Sequence, residues 1–112
     1  NHKMANTFKL KTKANVGVTT VGIYTAPAAT TTVVIGITMA NTSGSGVNVG
    51  VGITRAGTTE DVKLLKNAPI PSGSSLEFMS GNKIVLEATD TVTVDSDTNN
   101  SVDASLTIME IT

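Results

Sequence analysis

Apolar side chains recur at every second position through most of this chain, and no stretch of ordinary helix length repeats them at helical spacing. Residues 47–54, VNVGVGIT, alternate through Val47, Val49, Val51 and Ile53, and residues 101–112 through Val102, Ala104, Leu106 and Ile108. A period of two sends successive side chains to opposite faces of an extended strand, so each such segment needs a sheet with one buried face. The same period runs through 7–13 (Phe8 and Leu10 against Lys9, Lys11 and Lys13), 83–88 (Ile84, Leu86) and 91–95 (Val92, Val94). Nineteen threonines and abundant valine favour the same conformation.

Turn residues divide these segments. Residues 16–24 read as a strand with an irregularity at Thr19-Thr20, and 25–30 as a connector around Pro27. The segment 31–41 puts Val33, Ile35, Ile37 and Met39 on one face; with 47–54 and the intervening TSGSG it predicts an antiparallel hairpin. Residues 55–61 and 80–82 read as a loop and a tight turn. Residues 62–67 suit a helical turn or a strand. In 68–78, APIPSGSSLEF, the prolines hold an extended entry to a turn at Ser72-Gly73-Ser74, and Leu76 and Phe78 begin another strand. The sum is an all-β fold of about eight short strands, an antiparallel β-sandwich of jelly-roll or Ig-like type, or a barrel. The 112 residues suit one domain, 4–112. Asn1, His2 and Lys3 read as the remnant of an expression tag, with Met4 as the natural start; the only histidine then falls outside the natural protein.

The chemistry-bearing residues are sparse. There is no cysteine, so disulfides and thiolate metal sites are excluded. The serines of 72–75 lack the second glycine, the lysine and the helix of a phosphate loop. A serine nucleophile also lacks a base. Asp95, Asp97 and Asn99 match the first ligand positions of a calcium loop, with Asp103 as a fourth candidate. Asn100 stands where that loop needs glycine and Leu106 where it needs glutamate, so self-capping turns are the competing reading. No cofactor is expected. A net charge of −1 and a lysine stripe without interleaved aromatic rings argue against a nucleic-acid surface. No apolar run approaches the ~20 residues of a membrane helix. Phe8 and Phe78 fall on expected core faces, which leaves Tyr24 as the one ring for a sugar or receptor site.

One surface stands out. The second face of segment 31–54 carries Gly36, Thr38 and Ala40 on one strand and Asn48, Gly50 and Gly52 on the other. Glycine inside a strand often marks the close approach of another backbone. These six residues are therefore the candidate oligomer interface. Glutamate at Gly50 or Gly52 is expected to spare the fold and break assembly.

Residues 24–53, 66–78 and 82–96 together resemble small structural proteins of tailed bacteriophages. In that group an extended "tvPagtta" entry (Tyr24 to Thr32 here) leads to an apolar hairpin, then a "pIPaGssl" turn (Ile70 to Leu76), then a "gkivLeagDtltv" segment (Lys83 to Val94). The glycine that the group places before Asp90 is Thr89 here. The resemblance implies a non-enzymatic virion component on a β-sandwich: tail, neck, fibre-associated or head-decorating. It implies location in the virion, and partnership with copies of itself and other virion proteins. A carbohydrate- or receptor-binding module of a fibre is the alternative.

Overall fold

A computed structural model describes residues 6–55, 60–78 and 83–112. Of the expected loop at 55–61, residues 56–59 lie outside the described residues, as do the turn at 80–82 and residues 1–3; Arg55, Glu60 and Asp61 belong to strands. Among the described residues nine strands form, all in antiparallel pairs: β1 (Asn6–Val16), β2 (Val21–Thr25), β3 (Thr31–Asn41), β4 (Val47–Arg55), β5 (Glu60–Ile70), β6 (Ser75–Phe78), β7 (Ile84–Leu86), β8 (Thr91–Ser96) and β9 (Val102–Ile111). The first sheet has the order β1-β9-β3-β6, with β7 pairing β3 beside β6; the second has the order β2-β8-β4-β5. β6 and β7 occupy one strand position in two pieces, since both pair with β3, at Ile37–Ala40 and Thr32–Val34. The strand beyond the expected eight is β5, so segment 62–67 is extended. β1 and β2, β3 and β4, and β7 and β8 each lie in different sheets. That alternation makes a jelly-roll sandwich. It is neither Ig-like nor a closed barrel.

The topology overturns the expected hairpin. β3 pairs with β9, and β4 with β5 and β8; the two never pair with each other. Residues 42–46 instead carry the chain from one sheet to the other. The pivot is Asn41, buried at the end of β3: its amide donates to the carbonyls of Ser45 and Ile70 (2.8 and 2.9 Å), and its Oδ1 accepts from Ser43 N (2.9 Å). The glycines of the connection do not supply positive φ. Among the described glycines only Gly73 does (φ 73°), as the third residue of the Pro71–Ser74 turn, closed by Ser74 N–H to Pro71 O at 3.1 Å.

The apolar faces of β3 and β4 meet across the core, which buries both without backbone pairing. Val47, Val49, Val51 and Ile53 are buried as their spacing predicts, and so are Val102, Ala104, Leu106 and Ile108. In β3 the period slips. A bulge between Val34 and Gly36 inserts one residue, so Thr32 and Val34 point inward before it and Ile37 and Met39 after it. Val33 and Ile35 are therefore only half-buried.

β1 departs further. Phe8 and Leu10, expected inside, are 68% and 64% exposed. The register explains this: Lys9 opposes Ile108 and Lys11 opposes Leu106, both core residues of β9, so the lysines share the inner face and Phe8 and Leu10 the outer one. β1 is an edge strand, and its inner face lies at the rim of the sandwich, where a lysine head still reaches water. Phe78 packs half-buried against the core, as expected.

Candidate interface surfaces

The outer face of the first sheet is built from the residues that alternate away from the core. Phe8 opposes Met109, Met109 opposes Val33, and Val33 opposes Val85, which makes one apolar row across β1, β9, β3 and β7. Leu10 adjoins it, opposite Thr107. Val85 is 60% exposed, so this row is open to water at both ends. Further along the same face, Thr12 opposes Ser105 and Ser105 opposes Thr38. Small side chains there leave a shallow groove of about 340 Å³, lined by Thr12, Ala14, Thr38, Ala40 and Ser105, with Lys13 and Asp103 beside it. The apolar row was missed because Phe8 and Leu10 read as core; the signal that locates it is the register of β1 on β9.

The six candidate interface residues do not form one surface. Gly36, Thr38 and Ala40 lie on the first sheet, while Asn48, Gly50 and Gly52 lie on the second, because β3 and β4 belong to different layers. The two β4 glycines have a reason within the chain itself. A Cβ on Gly52 would stand 2.9 Å from Val62 O and 3.1 Å from Thr93 Oγ1; one on Gly50 would stand 2.6 Å from Asp95 Oδ1 and 3.3 Å from Leu65 O. Both positions are buried beneath their sheet neighbours, so glutamate there would disturb the fold itself. Gly36 has more room, its nearest such contact being Phe78 O at 3.8 Å. The second sheet's outer face carries Lys63 and Asp95 opposite Gly52 and Gly50 and is a charged surface.

The candidate calcium ligands are also dispersed. Asp95 lies on the second sheet and accepts from Thr20 Oγ1 (2.9 Å); Asp103 lies on the first and accepts from Asn15 N (3.0 Å). Asp97 accepts from Asn48 N (3.1 Å) and from Thr98 Oγ1 (3.1 Å). Each carboxylate holds loop or strand backbone and hydroxyl donors in place, the self-capping use of such residues. Among the described residues no group of three or more His, Cys, Asp or Glu could hold a metal ion.

Two charged clusters remain. At the rim, the Tyr24 hydroxyl donates to Glu110 Oε2 at 2.6 Å and lies 2.8 Å from Thr32 Oγ1, while Lys9 Nζ meets Glu110 Oε1 at 2.9 Å. Lys11 Nζ stands 6.0 Å from the Tyr24 ring centre, within cation–π reach. Burial and the bond to Glu110 push the Tyr24 hydroxyl up to about 12. The bond from Tyr24, and then that from Lys9, hold Glu110 below the ordinary carboxylate value. Tyr24 is 7% exposed, so it offers no ring to a sugar, and the glycan reading loses its platform. In the other cluster Arg55 reaches Glu87 (2.9 Å) and Asp90 (3.1 Å), tying the end of β4 to the β7–β8 turn. Ser72 Oγ donates to Ser43 O (2.9 Å) and braces two connections. Both clusters and the serine loop read as structural pins.

No protein-family model matches the chain, and no curated protein matches it in sequence. Solved structures do share its fold. A subunit of the Bacillus endospore appendages, described as disulfide-linked pili, aligns with a TM-score of 0.55 at 16% identity, over 96% of this chain and 86% of that one. A protein of the infectious bursal disease virus Gx strain aligns with a TM-score of 0.60 at 12% identity, over 98% of this chain and 33% of that one. VP2 of the same virus, in a subviral particle, gives 0.59 at 11%, over 97% and 32%. The chain thus spans most of the appendage subunit and about a third of the viral proteins. At these identities the likeness is one of fold: an antiparallel sandwich of the kind found in viral shells and in a pilus.

Proposed function

We propose that this chain is a non-enzymatic structural subunit of a virion, working by repeated contact with copies of itself and with companion virion proteins. The observation that carries the reading is the asymmetry of its two outer faces. One is charged and solvated; the other carries an apolar row, Phe8–Met109–Val33–Val85, exposed at both ends and half-buried between them, of a kind that marks an interaction site. The sandwich shared with bursal disease virus VP2 supports it, as does the resemblance to tailed-phage structural proteins. Within a virion, a place in the tail or neck, on a fibre or on the head surface each uses such a face.

A second reading, a filament subunit, is favoured by the length match to the endospore appendage protein. That filament's disulfides have no counterpart here, since the chain has no cysteine. Electron microscopy of the concentrated protein tests both readings. Closed rings, shells or stable small oligomers support the virion subunit, and unbounded fibres support the filament. Dispersed single chains at every concentration, with no binding to other particle proteins, would overturn both.

A further inference from the structure

The apolar row and the small-residue groove lie on one face, at opposite ends of the same strands. The row sits at Phe8, Val33 and Met109, and the groove centres on Thr12, Thr38 and Ser105. Between them the strands run on without interruption. A two-fold axis lying in the plane of this face, perpendicular to the strands and through the Leu10–Thr107 pair, exchanges the two ends. It brings the bulky end of each copy over the groove of the other. We infer that two copies of this chain pair face to face through the first sheet in this way, knob into groove twice over. The inference rests on the structural-subunit reading and specifies its contact.

Three features support a second copy as the occupant. The match is self-complementary, as an isologous interface requires. Charge is sparse along the middle of the face: the outward residues of β9 from Met109 to Asp103 and of β3 from Val33 to Ala40 include one charge, Asp103, with Glu77 of β6 opposite Thr38 and Lys13 of β1 at the flanks. The area also suffices. Strands of about ten residues in four positions span roughly 33 by 19 Å. That projected face of about 600 Å², enlarged by the relief of its side chains, approaches the ~800 Å² per partner of a stable complex. The second sheet also has a groove, of about 240 Å³, but Lys63, Lys66 and Asp95 line it, so an apolar knob would meet charge there.

Sedimentation velocity on three proteins tests the pairing: wild type, Phe8→Glu, which removes a knob, and Ser105→Arg, which fills the groove. Both sites point outward, so each variant should melt within about 4 °C of wild type. The wild type is expected to be dimeric or larger at tens of micromolar, in the range such interfaces span. Each variant alone should weaken pairing at least tenfold. An equal mixture of the two should pair again, because one knob and one groove remain intact and the carboxylate introduced in one copy then faces the guanidinium introduced in the other. A wild type that stays monomeric overturns the pairing. So do folded variants that associate like wild type, or a mixture that stays apart. Association unaffected by either variant would leave the structural-subunit reading standing and move its contact elsewhere, whereas failure of that reading is seen separately, in the absence of any assembly by microscopy.

Discussion

Tyr24 and Glu110 stand on different sheets and are joined by a 2.6 Å hydrogen bond that closes the rim of the sandwich. Glu110 is 7% exposed and its charge is answered from two directions, by the Tyr24 hydroxyl and by Lys9. Thr32, fully buried, completes the group. The bond ties the second sheet's short edge strand to the central part of the first. Removing the hydroxyl with Tyr24→Phe leaves a buried carboxylate short of a donor. A loss of about 1.5–3 kcal/mol is expected in urea unfolding, with the fold retained. Lys9→Ala, at a half-exposed partner, should cost about 1 kcal/mol or less.

The same pair sets a pH dependence. Glu110 titrates below its unfolded value, so the native state binds its proton more weakly than the unfolded chain does. Its contribution is present above the unfolded carboxylate pKa of about 4.3 and is lost as pH falls through the lower folded value. Tyr24 is shifted the other way: its contribution is intact below about 10 and disappears as pH rises toward about 12. Melting temperature should therefore fall on both the acid and the alkaline side, and Tyr24→Phe should flatten the alkaline limb. An unchanged alkaline limb in that variant would remove Tyr24 as its cause.

Gly52 should resist substitution. A Cβ meets the Val62 carbonyl, a backbone atom that moves only if β5 shifts. Gly52→Ala is expected to destabilise by about 1–3 kcal/mol, whereas Gly36→Ala, with 3.8 Å of clearance, should be far milder. Chemical denaturation of the two variants compares them directly; equal losses would contradict the packing account.

The core should respond to truncation in the ordinary way. Leu106→Ala, at a fully buried site on the central strand β9, should cost about 2–5 kcal/mol. Val18→Ala, 56% exposed, should be nearly neutral. Paired thermal and urea unfolding reads both.

Alternation alone revealed the all-β class and the inner faces of β4, β8 and β9, because nothing interrupts the period there. It misled where one residue was inserted: the bulge after Val34 hands the inner face from Val34 to Ile37, and no residue type announces it. Nor could it separate a hairpin from a crossing between sheets, since β3 and β4 carry the same apolar faces in either arrangement; the difference lies in the buried amide of Asn41. β1 misled most. Its inner face is chosen by partners far away in sequence, Glu110 and the Tyr24 ring, which draw Lys9 and Lys11 inward and turn Phe8 and Leu10 out. Of the candidate surface, the spacing of 31–41 showed that Gly36, Thr38 and Ala40 share one outward strand face, but not that the β4 glycines lie on the other sheet and answer to their own neighbours.

Hydroxyl-radical footprinting of the wild-type protein, dilute and then concentrated, reads which face is covered. Oxidation of Phe8, Leu10 and Met109 should fall several-fold on concentration while Val18 and Lys63 stay reactive. Unchanged reactivity at Phe8, Leu10 and Met109, or protection confined to the second sheet, would contradict the assignment of the first sheet's outer face as the surface this protein uses.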